Sequence, residues 1–414
     1  MKLLATLIFF LPLFILAQNR PGTTLHIRKA KENIQLDGVL DEPAWQEAEV
    51  AKNWFLNYPV DTMFAPFQTE ARVTFDDEFF YFSLVCYDDS TPDLIHSLRR
   101  DFEFLLNDQA GINIGPYNDK LNGFFFSLTP AGVQREGILI GGGGGGDSFN
   151  QYWDNKWYSK VVRHKDKWIA EAAIPFKSIR YKAGLREWNI IFDRSDKKRN
   201  QISSWISTPI QYNTGMFAYS GQLIWLDPPP PPGLNMSFIP YLAGGISKDN
   251  SSNPPENSSD FQAGFDAKIG LSPSLNLDLA VNPDFSQVEV DQQVINLTRF
   301  EFRFPERRQL FLENSDLFSR AGVAAARVFF SRRVGLVRDS TGLYRRIPIL
   351  YGARVSGSLD QKWRLSVLNA QTKEQLSIGL PAQNFTVATV QRNFGAQSSV
   401  SVTYVNKQSL GVDL

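Results

Sequence analysis

"EARVTFDDEFFYFSLVCYDD", residues Glu70–Asp89, holds two runs rich in Val, Thr, Phe and Tyr on either side of Asp76-Asp77. Such residues favour a pleated, half-buried surface and paired aspartates favour a turn, so the stretch predicts an antiparallel hairpin. The pattern spreads outward through "GINIGPY", "GFFFSLTPAG", "WYSKVVRHKDKWIAEAAIPF" and "WNIIFDRSD", while helix-like stretches stay few and short. An all-β antiparallel β-sandwich is the expected fold up to residue 226.

Upstream lies "IQLDGVLDEPAWQEA", Ile34–Ala48. Ile34 and Leu36 alternate as a strand would, Asp37-Gly38 supplies the turn, and Asp41 is placed to cap a short helix with Pro43 in its first turn. Trp45 then faces inward as a core anchor. Downstream, "GGGGGG" (Gly141–Gly146) is expected to form a mobile loop, because it has no side chain to bury and no P-loop ending follows it. The prolines of "DPPPPPG", Asp227–Gly233, cannot join a sheet and mark a linker.

Beyond the linker the alternation becomes cleaner. In "SLNLDLAVNPDF" Leu275, Leu277, Leu279 and Val281 share one face, and Asn276, Asp278, Ala280 and Asn282 the other. Similar runs recur in "FQAGFDAKIGL", "YGARVSGSL", "WRLSVLNAQ", "FTVATVQRN" and "SVSVTYVNK". Strands of this kind suit a transmembrane β-barrel, with the apolar face toward lipid and the polar face toward a lumen. Residues 234–414 are therefore expected to form part of an antiparallel outer-membrane barrel. The ending "KQSLGVDL" lacks a terminal aromatic residue, so that barrel is expected to be incomplete.

Composition narrows the function. The chain of 414 residues balances 43 basic against 43 acidic residues, without a basic stripe, which argues against nucleic acid as a partner. Its three histidines lie far apart, giving no transition-metal signature, and the single Cys86 sits in an apolar run as a core residue. "MKLLATLIFFLPLFILA" reads as a signal peptide over residues 1–17, with an apolar run too short to span a membrane as a helix and no cysteine after it for a lipid anchor.

Taken together, "IQLDGVLDEPAWQEA", "VTFDDEFFYFSLVCYDD", "WDNKW" and "WIAEAAIPFKSIR" resemble, in order, the landmarks of the family 9 carbohydrate-binding-module-like domain over residues 24–226. "VNPDFSQVEVDQQVINLTRFEFRFPERRQLFLENSDLF", Val281–Phe318, with "FFSRRVGL", is similar to a signature of uncharacterised Gram-negative envelope proteins. Those carry a leader, a family-9-like sandwich and a long outer-membrane barrel. The resemblance implies secretion across the inner membrane, residence in the outer membrane, and polysaccharide or oligosaccharide, outer-membrane lipid and envelope proteins as partners.

A sugar site needs flat aromatic faces for the C–H face of a pyranose and planar polar groups for its hydroxyls. The residues offering that chemistry are Tyr152, Trp153, Asp154, Asn155 and Trp157 within "FNQYWDNKWY", Arg194 and Trp205 near the end of the sandwich, and Arg100 in "LRRDFEFLLNDQAGINI". For Trp157 the sandwich core is the better reading, and Trp153 stands evenly between core and sugar. No cofactor is implied; the acidic residues around Arg99, Arg100, Asp101 and Asp108 could at most take calcium, with a salt-bridged loop as the plainer reading. No nucleophile elbow, zinc motif or Ser/Cys-His set appears, so the balance falls against an enzyme, and glycoside hydrolysis enters only through the resemblance. In "RFPERRQLFLENSDLF", Glu306, Arg307, Arg308 and Glu313 are expected to pair at a barrel mouth or in its lumen. Carbohydrate binding is the first reading of function and a protein-binding assembly role the second.

Overall fold

The computed structural model describes residues 24–144, 148–151, 153–232, 236–249, 256–272, 275–283, 306, 308–312, 314–319, 322–323, 326–338, 344–360, 362–375, 381–394 and 398–410. The expected signal peptide, Tyr152, Arg307, Glu313 and the last two residues of the glycine run lie outside them.

The chain up to residue 226 builds β1 (Thr24–Ile27), helix α1 (Pro43–Glu47), β2 (Phe55–Tyr58), β3 (Thr69–Phe75), β4 (Phe79–Tyr87), β5 (Gln109–Gly115), β6 (Gly123–Leu128), β7 (Gln134–Leu139), β8 (Phe149–Asn150), β9 (Tyr158–Arg163), β10 (Lys167–Pro175), β11 (Glu187–Asp196), β12 (Gln201–Ser204) and β13 (Gly221–Trp225). One sheet has nine strands, ordered β1-β13-β11-β5-β6-β7-β8, with β12 and β2 branching from β11. The other has four, β3-β4-β10-β9. Only β1 runs parallel to its neighbour, β13, among the pairings of these two sheets. The hairpin over Glu70–Asp89 is β3–β4, its turn closed by Asp76 Oδ1, which accepts the amides of Glu78 and Phe79 at 2.7 Å each.

Alternate residues of both sheets meet in one apolar core. Phe80, Phe82, Trp168, Trp188, Phe192 and Trp225 are all at most 1% exposed there, with Trp188 and Trp225 ring centroids 4.6 Å apart. Two distant sequence landmarks are joined across this structure. Glu171 of β10, fully buried, receives the amides of Asp37 (3.1 Å) and Gly38 (2.6 Å) on one oxygen and the indole N–H of Trp45 (2.9 Å) on the other. Gly38 has φ +90°, and a Cβ there would stand 2.2 Å from Val162 Cγ2, so only glycine lets the turn reach the carboxylate. Trp45 is the inward anchor that its position suggested, but α1 starts after Glu42, and Asp41 gives only its carbonyl, to Gln46.

One sequence expectation changes here. Gly142 and Gly143 are buried in a tight turn packed against Gly215, so this part of the glycine run is not an open loop. The prolines dock on the sandwich, where Tyr181 Oη donates to the Pro230 carbonyl at 2.8 Å.

Past the linker, β14 (Met236–Asp249), β15 (Glu256–Ser272) and β16 (Leu275–Val281) are followed by helices α2 (Gln309–Leu312) and α3 (Asp316–Ser319) and by two small hairpins, β17 (Gly322–Val323) with β18 (Ala326–Arg327) and β19 (Leu336–Arg338) with β20 (Tyr344–Arg346). The meander resumes with β21 (Ile349–Ser358), β22 (Trp363–Thr372), β23 (Ala382–Phe394) and β24 (Ser398–Leu410). These long strands make a seven-stranded antiparallel sheet, β14-β15-β16-β21-β22-β23-β24, whose two edges do not pair with each other among the described residues.

Its polarity is reversed relative to a soluble sheet. Asn276, Asp278, Arg354, Ser356, Arg364, Ser366 and Thr389 are buried, whereas Leu242, Ile246, Phe261, Val402 and Tyr404 are exposed. Register carries one outward row, Met236, Ile269, Leu277, Val355, Val367, Ala388 and Tyr404, across all seven strands. On the opposite face Arg354 holds its cross-strand partner Asp278 at 2.7 Å, and Arg364 holds Asp316 of α3 at 2.6 Å. Leu310, Phe311 and Phe318 of the helical segment close the rest of that face over Ala280, Leu368, Ala370 and Val387. Of the expected charge network, Glu306 and Arg308 form an ion pair at 2.8 Å, with Ser331 Oγ donating to Glu306.

Replacing Glu171 by glutamine turns one acceptor oxygen into a donor facing buried N–H groups. A loss of about 2 kcal/mol is expected, read from denaturant unfolding followed by tryptophan fluorescence. An unchanged midpoint would show that the turn amides have other acceptors.

Candidate functional site

Strand β7 carries two adjacent charges, Arg135 and Glu136, in a run otherwise uncharged. Neighbouring side chains of a strand point to opposite faces, so the two charges build two different clusters.

Glu136 faces the sandwich interior at 0% exposure. Its Oε1 is held by the guanidinium of Arg100, through Nε at 2.9 Å and also through Nη2, and Nη2 reaches on to the Asn155 carbonyl at 2.8 Å. Asp101, in the left-handed region at φ +58°, accepts the Glu136 amide at 3.3 Å. Carboxylate oxygens of Asp101, Glu136 and Asp154 lie within 4.8 Å of one another. Burial, then the Glu136 charge, pushes the Asp101 carboxyl up to about 7, and burial raises Glu136 as well. Three carboxylates suit calcium by chemistry, but Arg100 already brings a positive charge to Glu136. The residues as they stand form an ion cluster closed by a guanidinium, and they do not fit a metal.

Arg135 faces the other way, onto the outer surface of the nine-stranded sheet. Register places Asp193 of β11, Gly111 of β5, Ser127 of β6 and Arg135 of β7 in one row. Gly111 is required, since a Cβ would sit 2.3 Å from the Phe126 carbonyl oxygen and 2.5 Å from Ser127 Oγ. Asp193 Oδ2 accepts from Asn113 Nδ2 at 3.2 Å and Thr214 Oγ1 at 3.4 Å, and burial pushes its carboxyl up to about 6. At the far end the Arg135 guanidinium lies over the rings of Phe125 (4.6 Å to the centroid) and Phe104 (5.6 Å). Burial lowers the Arg135 pKa, with Asp193 the largest opposing charge. Gln109, Asn113 and Asn189 complete a face of amides, a carboxylate, a hydroxyl and a guanidinium over aromatic carbon, all buried beneath the loops around residues 104 and 214.

The expected site residues divide. Arg100, Asp154 and Asn155 come together around Glu136. Trp153 and Trp157, at 2% and 4% exposure, pack on Phe124, Phe126 and Phe82. Trp205 lies against Phe192 at 6.0 Å between ring centroids and is 7% exposed. None of the three offers a free face on which a pyranose could stack, so the aromatic clamp expected of them gives way to a core role. Arg194 is also interior: it donates to the Tyr87 carbonyl at 2.8 Å and to Thr69 Oγ1 at 3.3 Å, tying β11 to the smaller sheet. Arg135 and Asn113 escaped notice in the sequence. For Arg135 the signal was there in "VQREG", two charges side by side in one strand, one for each face; Asn113 in "GINIG" carries no such mark.

Among known proteins, a family profile described as a domain of unknown function (DUF5916) matches residues 231–410. No curated protein matches the chain. Two solved structures similar to the chain are of a family 9 carbohydrate-binding module from Caldicellulosiruptor kristjanssonii. The complex with cellotriose is 11% identical, with a TM-score of 0.36, over 49% of this chain and 93% of that one. The complex with glucose is 12% identical, with a TM-score of 0.35, over 49% and 95%.

Asp101, Glu171 and Asp193 have folded-state pKa values raised to about 7, 7 and 6. Between roughly pH 4 and 7 the folded chain therefore binds more protons than the unfolded one, and its stability falls as pH rises through that window. Asp88, whose burial is outweighed by its bonds from Lys198 and Asp89, and Asp89, bonded by Thr91 and Arg199, are lowered instead and act only at more acid pH. Thermal melts are expected to give a higher midpoint at pH 5 than at pH 8, with a shallower slope in Asp101→Asn. A midpoint that climbs from pH 5 to pH 8 would contradict the assignment.

Proposed function

We propose that this chain is a membrane-associated protein whose sandwich binds carbohydrate. The binding reading rests on the ordered landmarks of the family 9 domain, from Ile34 to Arg180, which stand in an antiparallel sandwich of the expected kind.

The membrane part rests on the seven-stranded sheet. A sheet that buries Asp278 with Arg354 and exposes Phe238, Leu242 and Val402 is unfavourable in water, where exposed apolar faces of this size mark contact surfaces. It suits a bilayer, which takes the apolar side and leaves the ion pairs to a protein-filled interior. An outer-membrane setting agrees with the secretory leader read at the N-terminus.

Two outcomes are expected. Full-length protein in detergent should retard in gels containing plant, algal or bacterial polysaccharide; no interaction across a broad panel would refute carbohydrate binding. Val367→Arg, in the middle of the outward row, should weaken bilayer insertion by about 2–4 kcal/mol, measured by folding into lipid vesicles. Insertion unaffected by that charge would place the face in water.

A further inference from the structure

The linker fixes where the sandwich stands on the seven-stranded sheet. β14 starts at Met236, directly after the prolines, so one end of the antiparallel meander carries the linker together with the connections 273–274, 359–362 and 395–397. The opposite end carries the longer connections 250–255, 282–348 and 373–381. Tyr181 Oη pins the linker to the sandwich at the Pro230 carbonyl. From Pro230 to Met236 an extended chain reaches at most about 22 Å, less than the roughly 30 Å of a bilayer's hydrocarbon core.

Side chains agree with the connectivity. Lys177, Ile179 and Pro230 line one cleft with Met236, Leu271 and Asn276, at the end of the sheet where β14 and β16 start and β15 stops. The charge of Lys182 acts on Asp360 in the 359–362 connection, and that of Asp119, from the loop between β5 and β6, acts on Arg364 near the start of β22. Each of these contacts is made at the end with the short connections.

We propose that the sandwich stands on the periplasmic side of the outer membrane, against the short-connection rim of the sheet, so that the saccharide it meets is one already inside that membrane. This rests on the membrane reading above and gives it a direction. Membrane barrels keep their short turns in the periplasm and send their longer loops outside. The pinned linker is too short to carry the sandwich across to the loop side. Capture of polysaccharide at the cell surface is thereby set aside in favour of a glycan of the periplasm.

The test is cysteine labelling of the full chain in a Gram-negative host, with a polyethylene-glycol maleimide too large to cross the outer membrane. Cys86 is buried at 0% exposure and serves as the unreactive background. The variants are Leu98→Cys, at a sandwich position 76% exposed, and Glu374→Cys, at an exposed position in the 373–381 connection. Glu374→Cys is expected to react in intact cells, and Leu98→Cys only once the outer membrane has been permeabilised. Val39→Cys, also exposed on the sandwich, repeats the measurement should the Leu98 variant not fold. Sandwich cysteines that react in intact cells would overturn the proposal, whatever Glu374→Cys does. Reaction of neither variant in intact cells would overturn it too, since the longer connections would then not lie outside. Release of the parent protein from membranes by alkaline carbonate would remove the membrane reading itself and the proposal with it, while carbohydrate binding is decided by the gels alone.

Discussion

Successive residues of a strand must point to opposite faces, and this constraint shapes every level of the molecule. In β10 it sends Trp168, Ala170, Ala172 and Ile174 into the core and Glu171 to the other face, where it meets the first turn of the domain. In β7 it sends Glu136 inward to Arg100 and Arg135 outward over Phe125. In β16 it sends Asn276 and Asp278 to the covered face and the leucines to the open one. A one-residue slip in any of these strands would exchange the two faces and strand charges in apolar surroundings.

Buried charge is handled in two ways in the sandwich. Asp88 sits among Arg163, Arg194, Lys198 and Arg199, a network in which each carboxylate has cationic partners and the two sheets are tied together. Glu171, Asp101 and Asp193 are held mainly by neutral donors or crowded by other carboxylates, and burial raises their pKa values. Groups of the second kind stand where the chain makes a turn or where a polar face is walled off.

How far the sequence could be read depended on how local each cause was. The β3–β4 hairpin was legible because its turn is closed by the adjacent side chain of Asp76, a contact four residues wide at most. The inward Trp45 was legible for the same reason, while its partner Glu171 was not, being 126 residues away. The glycine run misled, since whether Gly143 packs depends on Gly215 approaching from a distant loop. The tryptophans near residue 155 had the right residue types for sugar stacking, but type does not reveal which side of a sheet faces solvent. Arg135 and Asp193 meet on one row only through three successive strand pairings.

By itself, the sequence determined that the protein is all-β, that its hairpins are antiparallel, that a proline run divides two differently patterned regions, and which residues of each later strand share a face. These follow from alternation and turn chemistry, which act over a few residues. Tertiary structure alone decided which face is buried, that Leu310, Phe311 and Phe318 cover the polar side of the seven-stranded sheet, and that a guanidinium with no ion pair among the described residues ends the outer row of the sandwich. Burial and ion pairing depend on what arrives from elsewhere in the chain, and the residues that arrive are tens to more than a hundred positions away.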